Sequence, residues 1–342
     1  MQDPLARLGL KHPLIVASMA GGPSSPELVI ASSAAGALGS IGAAYSSPAA
    51  ITEFVDKVRA GTDRPFAINL FIQHPQPQID AATVERAVAA TAKYRAELDL
   101  PAPQFAAPYE EDFDQQFEAV LKAKPAVLSF VFGVLPAEYM RTARKSGMLI
   151  IGTATTPEEA GALEESGVDA ITLQGFEAGG HRGIFDPEAA DSEIGLWDLL
   201  TRTLPKAKVP LIAAGGIMTA VDIRSVLAMG ASAVQMGTGF LATAEAGTSA
   251  AYRAALQGTE RATRTTRAFS GRFARGIENR FMNELDAAAA MPFPAQNKFT
   301  RDIRGASAAK GSADFLSLWA GTGKGELWQG SAADLIEKLF AD

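Results

Sequence analysis

The sequence predicts an α/β protein, a (β/α)8 TIM barrel carrying a small inserted helical cap. Three observations predict it. Eight short apolar runs recur along the 342 residues. The runs are continuous rather than alternating, as expected of strands covered on both faces in a parallel sheet. Helix start and stop signals fall between them. Eight such repeats close into a barrel; an open doubly wound sheet is the alternative, because the count rests on short runs. With 47% hydrophobic and 20% charged residues, the chain has material for one large core.

The first run is 14–18 and the second 38–41, joined by an apolar, Ala-rich helix that starts at Pro26. Residues 28–52 carry no charge, and their Gly, Ser and Ala content with Pro48 fits a buried helix–turn–strand better than a membrane span. The third run is 65–71 (PFAINLF). Residues 74–124 exceed what a plain barrel needs and are expected to add a helix. Runs four and five are 126–132 and 148–152. Thr155-Thr156-Pro157-Glu158-Glu159 then sets a cap hydroxyl, a first-turn Pro and two carboxylates at a helix N-terminus. Run six is 170–173 and run seven 210–214; Thr219 with Asp222 opens the next helix, and run eight is 233–236. Gly147, Gly167 and Gly230 fall just past helices, where a left-handed residue is needed. Residues 243–312, polar and Arg-containing with Pro292 and Pro294, are expected to cap the barrel mouth. The barrel domain is then 1–242, completed by 313–342. The amphipathic stretch 331–340 (Leu335, Ile336, Leu339, Phe340) is expected to close the wall.

Composition narrows the function. The formal net charge is −7, and no basic stripe alternates with aromatics, so nucleic acid is not an expected partner. The stretch from Arg261 to Arg280 also holds Glu278 and glycines and reads as solvated or structural. With no cysteine, thiolate metal sites, iron–sulfur clusters and cysteine nucleophiles are excluded. His12, His74 and His181 lie far apart without ligand spacing, so no metal is expected. The Met1-Gln2-Asp3-Pro4 start has neither a basic nor an apolar leader region; the expectation is a cytoplasmic protein, off the membrane.

In such barrels the site forms from loops at the carboxyl ends of the strands. After run seven comes Ala214-Gly215-Gly216-Ile217, and after run eight Gln235-Met236-Gly237-Thr238-Gly239. Glycines let backbone N–H groups close on an anion, and Thr238 adds a hydroxyl. One pair alone is a tight turn; two clusters at consecutive strand ends predict a phosphate site. After run six, Gln174 leads into Gly175-Phe176-Glu177-Ala178-Gly179-Gly180-His181-Arg182-Gly183. His181 in this loop is a candidate general base or hydrogen-bond donor rather than a brace. His12, at the amino end of the barrel, reads as structural; His74 follows run three without a stronger claim. Met19-Ala20-Gly21-Gly22 after run one leaves room for a flat ring. Asn69, polar within an apolar run, needs partners, either a ligand or neighbouring backbone. Gly321-Thr322-Gly323-Lys324-Gly325 fails the P-loop spacing, with Leu318 and Gly325 in the wrong places, and reads as a turn.

Taken together, Met19–Gly22, 65–70, 129–133, the loop 177–183, 213–217 and 235–238 make the chain resemble the nitronate monooxygenases over almost its full length. The resemblance implies non-covalent FMN and no metal. It would place the phosphate on Gly215, Gly216, Gly237 and Thr238. Gln174, Gly179 and Asn69 would contact the isoalloxazine or ribityl parts, with Met19 and Ala20 against the ring. Gly180, Gln235 and Met236 complete the expected cofactor set. His181 matches the family's catalytic histidine. Such enzymes oxidise alkyl nitronates, propionate 3-nitronate among them, with O2, and some deprotonate neutral nitroalkanes. Protonated or hydrogen-bonding, His181 would hold the anionic nitronate; neutral, it would take an α-proton. Anion binding is the first expectation. The chain departs from the family in having Ser18 where Pro usually precedes the Met, and residues 291–304 match loosely. Tyr109 is a candidate pocket residue. The alternatives are an FMN-dependent NAD(P)H reductase of quinones or enoyl thioesters, and a non-catalytic flavin-binding protein. A homodimer is one assembly the sequence allows.

Overall fold

The computed structural model describes residues 4–258, 262–285 and 287–341. Residues 1–3, part of the leader reading, and Arg261, first of the arginine-rich stretch, lie outside the described residues.

In chain order the strands are β1 (Leu14–Val16), β2 (Gly39–Gly42), β3 (Phe66–Phe71), β4 (Val127–Val131), β5 (Leu149–Ala154), β6 (Ala170–Gln174), β7 (Gly180–His181), β8 (Leu211–Ala214), β9 (Ala233–Met236), β10 (Thr263–Thr266) and β11 (Ala274–Ile277). Eight of them form one parallel sheet in the order β1-β9-β8-β6-β5-β4-β3-β2. A parallel bridge between Ile15 and Leu38 joins its two ends: Val16 N–H donates to Leu38 O, and Leu38 N–H to Leu14 O, both at 2.9 Å. The protein is therefore a TIM-type barrel, each of the eight sequence runs supplying one barrel strand.

The helices are α1 (Pro26–Ala34), α2 (Pro48–Gly61), α3 (Ala81–Glu97), α4 (Phe113–Ala123), α5 (Ala137–Lys145), α6 (Pro157–Ser166), α7 (Leu196–Thr203), α8 (Ala220–Met229), α9 (Ala250–Gln257), α10 (Arg280–Glu284), α11 (Ala295–Phe299), α12 (Arg301–Ala309) and α13 (Ala332–Phe340). The start signals act as the sequence implies. Thr156 caps α6 by accepting from Glu159 N–H, and Thr219 and Asp222 form a reciprocal capping box on α8. The uncharged stretch spans most of α1, β2 and the start of α2, and among the described residues no helix is long and apolar enough to cross a membrane. α13 packs against α1 and α8 and completes the wall.

Period-two alternation sorts the strand residues into two cores. One set, including Leu14, Val16, Ile68, Ile150 and Val234, packs outward against the helices. The other, including Ile15, Ala67, Ile151, Ile212 and Ala233, fills the amino half of the barrel with Leu8. Two residues further along these inward rows stand Ala17, Asn69, Thr153, Ala214 and Gln235, which face an open cavity instead. The barrel is thus plugged at one end and hollow at the other.

Beyond the barrel, residues 243–312 carry helices and also a strand pair that the sequence reading did not anticipate. β10 and β11 are antiparallel, and β11 pairs with β7, which holds His181. α3, the extra helix, packs Tyr94 between Phe281 and Phe315, at ring distances of 5.1 and 5.2 Å.

Candidate functional site

The hollow end is a cavity of about 600 Å³. That is within the roughly 300–1,000 Å³ typical of cofactor and small-ligand sites. His181 and all the residues expected to contact the cofactor border it. Met19 and Ala20 come from the loop after β1, Asn69 from β3, and Gln174, Gly179, Gly180 and His181 from β6 and the loop beyond. Gly215 and Gly216 follow β8, while Gln235, Met236, Gly237 and Thr238 end β9.

Local backbone needs explain the glycine-rich end. Gly215 and Gly216 sit at φ +112° and +72°, a region that residues with a Cβ rarely adopt. Thr238 Oγ1 accepts from Gly321 N–H at 3.0 Å, which leaves its own proton free to donate into the cavity. The segment read as a mere turn belongs here: Gly321 and Gly323 both border the cavity. A Cβ on Gly323 would collide with the carbonyl of Gly216. The P-loop spacing test dismissed this segment, because it asks about one loop and not about one loop packing on another.

The loop after β6 is held rigidly despite its glycines. Gln174 Nε2 donates to His181 O at 2.9 Å, and its Oε1 accepts from Arg182 Nη1 at 3.0 Å and Gly183 N–H at 2.8 Å. Much of its hydrogen-bonding capacity therefore braces the loop. Arg182 is fully buried, paired with Asp191 at 2.7 Å, and donates to the carbonyls of Gln174 and Gly175 at 3.3 and 2.8 Å. Asn69 Nδ2 donates to Ser129 Oγ at 3.0 Å, so its partner within the protein is a side chain.

His181 lies among Trp319, Phe71, Phe132 and Phe293, with ring distances of 5.6 to 6.2 Å. Burial, with the positive charges of Arg272 and Arg304, pushes its pKa down to about 3. This favours the uncharged imidazole at neutral pH over the protonated form considered from sequence, because an aromatic box beside two cations disfavours a third charge. Its Nε2 is 2.9 Å from Ser270 Oγ. Ser270 in turn donates to Arg272 O at 3.2 Å. When Ser270 gives its hydroxyl proton to that carbonyl, Nε2 carries the imidazole proton and Nδ1 keeps its lone pair. Among the described residues Nδ1 has no hydrogen-bond partner, and His181 borders the cavity.

The other histidines brace the fold. His74 Nε2 contacts Phe132 O at 2.7 Å, and His12 stacks on Phe340 at 4.5 Å near the amino end. Burial lowers both pKa values. Tyr109 stacks on Phe105 at 5.1 Å and borders a small recess with Tyr45, Phe71 and Phe293, not the main cavity. Sequence reasoning missed Tyr45, Asn297, Arg301, Arg304 and Trp319, which do border it. Arg301, Arg304, Gly305 and Ala308 follow the i, i+3, i+4, i+7 period of one helix face. That period was legible, but not which surface the face would meet.

A family model described as nitronate monooxygenase matches residues 3–342. The chain is 38% identical to a nitronate monooxygenase of Pseudomonas aeruginosa, covering 100% of this chain and 99% of that one. It is 39% identical to another from Paraburkholderia phytofirmans, with 98% and 93% covered. Among solved structures, nitroalkane oxidase from Streptomyces ansochromogenes superposes with a TM-score of 0.91 at 37% identity, covering 98% of this chain and 96% of that one.

Proposed function

The chain belongs to the nitronate monooxygenase family, and on that premise we propose that it is an FMN-dependent oxidoreductase that oxidises alkyl nitronates such as propionate 3-nitronate with O2, and neutral nitroalkanes after deprotonation by His181. The cavity fits the cofactor. Its glycine end, where side chains would collide and Thr238 keeps a free hydroxyl proton, suits a phosphate. The loop after β1 approaches β2 closely because Gly42 has no side chain; a Cβ there would lie 2.5 Å from Ala20 N. That packing leaves Met19 and Ala20 on the wall, where a flat ring would rest. Bound FMN would supply the electron transfer between nitronate and oxygen.

The chain's own residues do the rest. Gly215, Gly216, Gly237 and Thr238 hold the phosphate. Gln174 keeps the loop after β6 in place, and the aromatic box keeps water from His181. For a neutral nitroalkane, Nδ1 of His181 takes the α-proton, while Nε2–H stays on Ser270. A preformed nitronate needs no proton removed, and a lone pair offers it no hydrogen bond. His181 therefore serves nitroalkane turnover more than nitronate binding, which reverses the order expected from sequence. Residues 1–242 with 313–342 make the FMN-binding unit in this reading, and 243–312 the substrate-side cap.

The observation that carries the reading is a neutral imidazole facing the same cavity as three glycine-bordered strand ends. The test is oxygen uptake by flavin-loaded protein with nitroethane and with ethyl nitronate. His181→Asn should retain flavin and lose nitroethane turnover by roughly 100- to 10,000-fold, the usual worth of a general base. Its loss with ethyl nitronate should be far smaller. Equal losses on the two substrates, or none on nitroethane, would remove His181 as the base. Rapid anaerobic bleaching by NADH would favour the reductase alternative.

A further inference from the structure

Among the described residues, the only formally charged side chains on the cavity wall are Arg301 and Arg304, one turn apart on α12. No carboxylate answers them. Arg304 Nη2 donates to Asn297 O at 2.6 Å and Asn297 Oδ1 at 2.9 Å, and Nε to Thr300 O at 3.3 Å; every acceptor is neutral. Asp302, between them in sequence, is engaged by Arg95 at 2.7 and 3.1 Å. The Arg301 side chain makes no hydrogen bond or ion pair with any described residue. Burial pulls the Arg304 pKa down to about 10, so it still carries its charge at neutral pH. A cation kept from water without a counter-ion is costly, and a bound anion would offset that cost.

The anion is not the cofactor's phosphate, which the glycine loops after β8 and β9 suit. Arg304 acts electrostatically on Tyr45, in the segment after β2, and on His181. In the barrel order, β2 stands two strands from β9 and three from β8, and β3 three and four, so both are set apart around the ring from the phosphate loops. Gly305 and Ala308, small residues on the same face of α12, leave room before the two guanidinium groups.

We propose that Arg301 and Arg304 form a specificity subsite that binds a second anionic group on the substrate, a carboxylate carried a short chain away from the nitronate carbon. The proposal rests on the nitronate reading for what sits beside His181. The planar guanidinium fork matches a carboxylate, and two such groups a helical turn apart can share it. The positively charged wall also draws a dianionic substrate toward the mouth of a chain whose net charge is −7.

Two measurements test it. The first is the ratio of kcat/KM for propionate 3-nitronate to that for propyl-1-nitronate, which lacks the carboxylate. Arg301→Gln and Arg304→Gln should each lower this ratio roughly 10- to 100-fold, mainly through KM, with Arg304→Lys closer to wild type. The second is calorimetric binding of succinate, a non-reacting mimic with a carboxylate in place of the nitronate, against butyrate. Wild-type, flavin-loaded protein should bind succinate more tightly, and Arg301→Gln should erase the difference. An unchanged ratio in Arg301→Gln overturns the subsite. So does a loss of flavin in Arg304→Gln with the ratio intact in Arg301→Gln. Because Arg304 also holds Asn297 and Thr300, its variant is the one at risk of misfolding; exposed Arg301 then decides. If wild type oxidises neither nitronate yet loses its succinate preference in Arg301→Gln, the nitronate reading fails and the anion subsite stands.

Discussion

At the scale of single residues, His181 shows how surroundings choose among an imidazole's roles. Its pKa of about 3 means that the neutral base persists well into acid. For a neutral nitroalkane, kcat/KM should therefore stay level as pH falls from 8 through 6.5, and drop only near pH 3 to 4. The sign follows from the lowered value: the base form is present above the pKa and is lost as pH falls through it. A profile that falls with an apparent pKa near 6.5 would put an ordinary, solvated histidine in the role. Ser270 acts through His181 as a positioning residue. Ser270→Ala should lower nitroethane turnover about 3- to 10-fold, the worth of one hydrogen bond. Nitrogen NMR of the imidazole should show Nε2 protonated in the wild type and a mixture of tautomers in the variant. Little of this was legible beforehand. The glycine context marked His181, but Ser270 is 89 positions away and reaches it because β11 pairs with β7.

At the scale of elements, the barrel strands and helix starts could be read because each is a local pattern. Buried parallel strands show continuous apolar runs, and a capping box such as Thr219 and Asp222 lies within four residues. β7 and β10 could not be read that way. β7 has two residues, and β10 is Thr-Arg-Thr-Thr, with no apolar face to betray it. What fixes the loop between β6 and β7 is a buried ion pair, with side-chain exposures of 0% for Arg182 and 6% for Asp191. Arg182→Ala leaves Asp191 buried without its partner, and should cost about 3–5 kcal/mol by denaturant unfolding. Loss below 1 kcal/mol would mean that the loop is held by Gln174 and backbone contacts instead. At the glycine end, Gly323→Val should weaken FMN retention by forcing the segment at 321–325 away from Gly216. Flavin content after desalting reads this directly; full retention would show that the collision relaxes without moving the cradle.

At the scale of the whole molecule, one alternation runs from fold to site. Rows such as Ile15 to Ala17 and Ala67 to Asn69 plug the barrel at its amino end and line the cavity at the other. The cavity-bordering residues from strand ends were legible because the carboxyl ends of barrel strands can be counted off the sequence. Those from the cap were not: α12 is more than 60 residues beyond β9, and only tertiary packing turns Arg301 and Arg304 toward the mouth. The central claim joins both halves, an FMN-dependent barrel that oxidises nitronates. It is tested most directly by oxygen uptake with flavin-loaded protein and propionate 3-nitronate as sole reductant. Steady oxygen consumption that scales with enzyme and flavin content is the expected result. A flavin-loaded protein that consumes no oxygen with any alkyl nitronate, while NADH bleaches it at once, would contradict the claim.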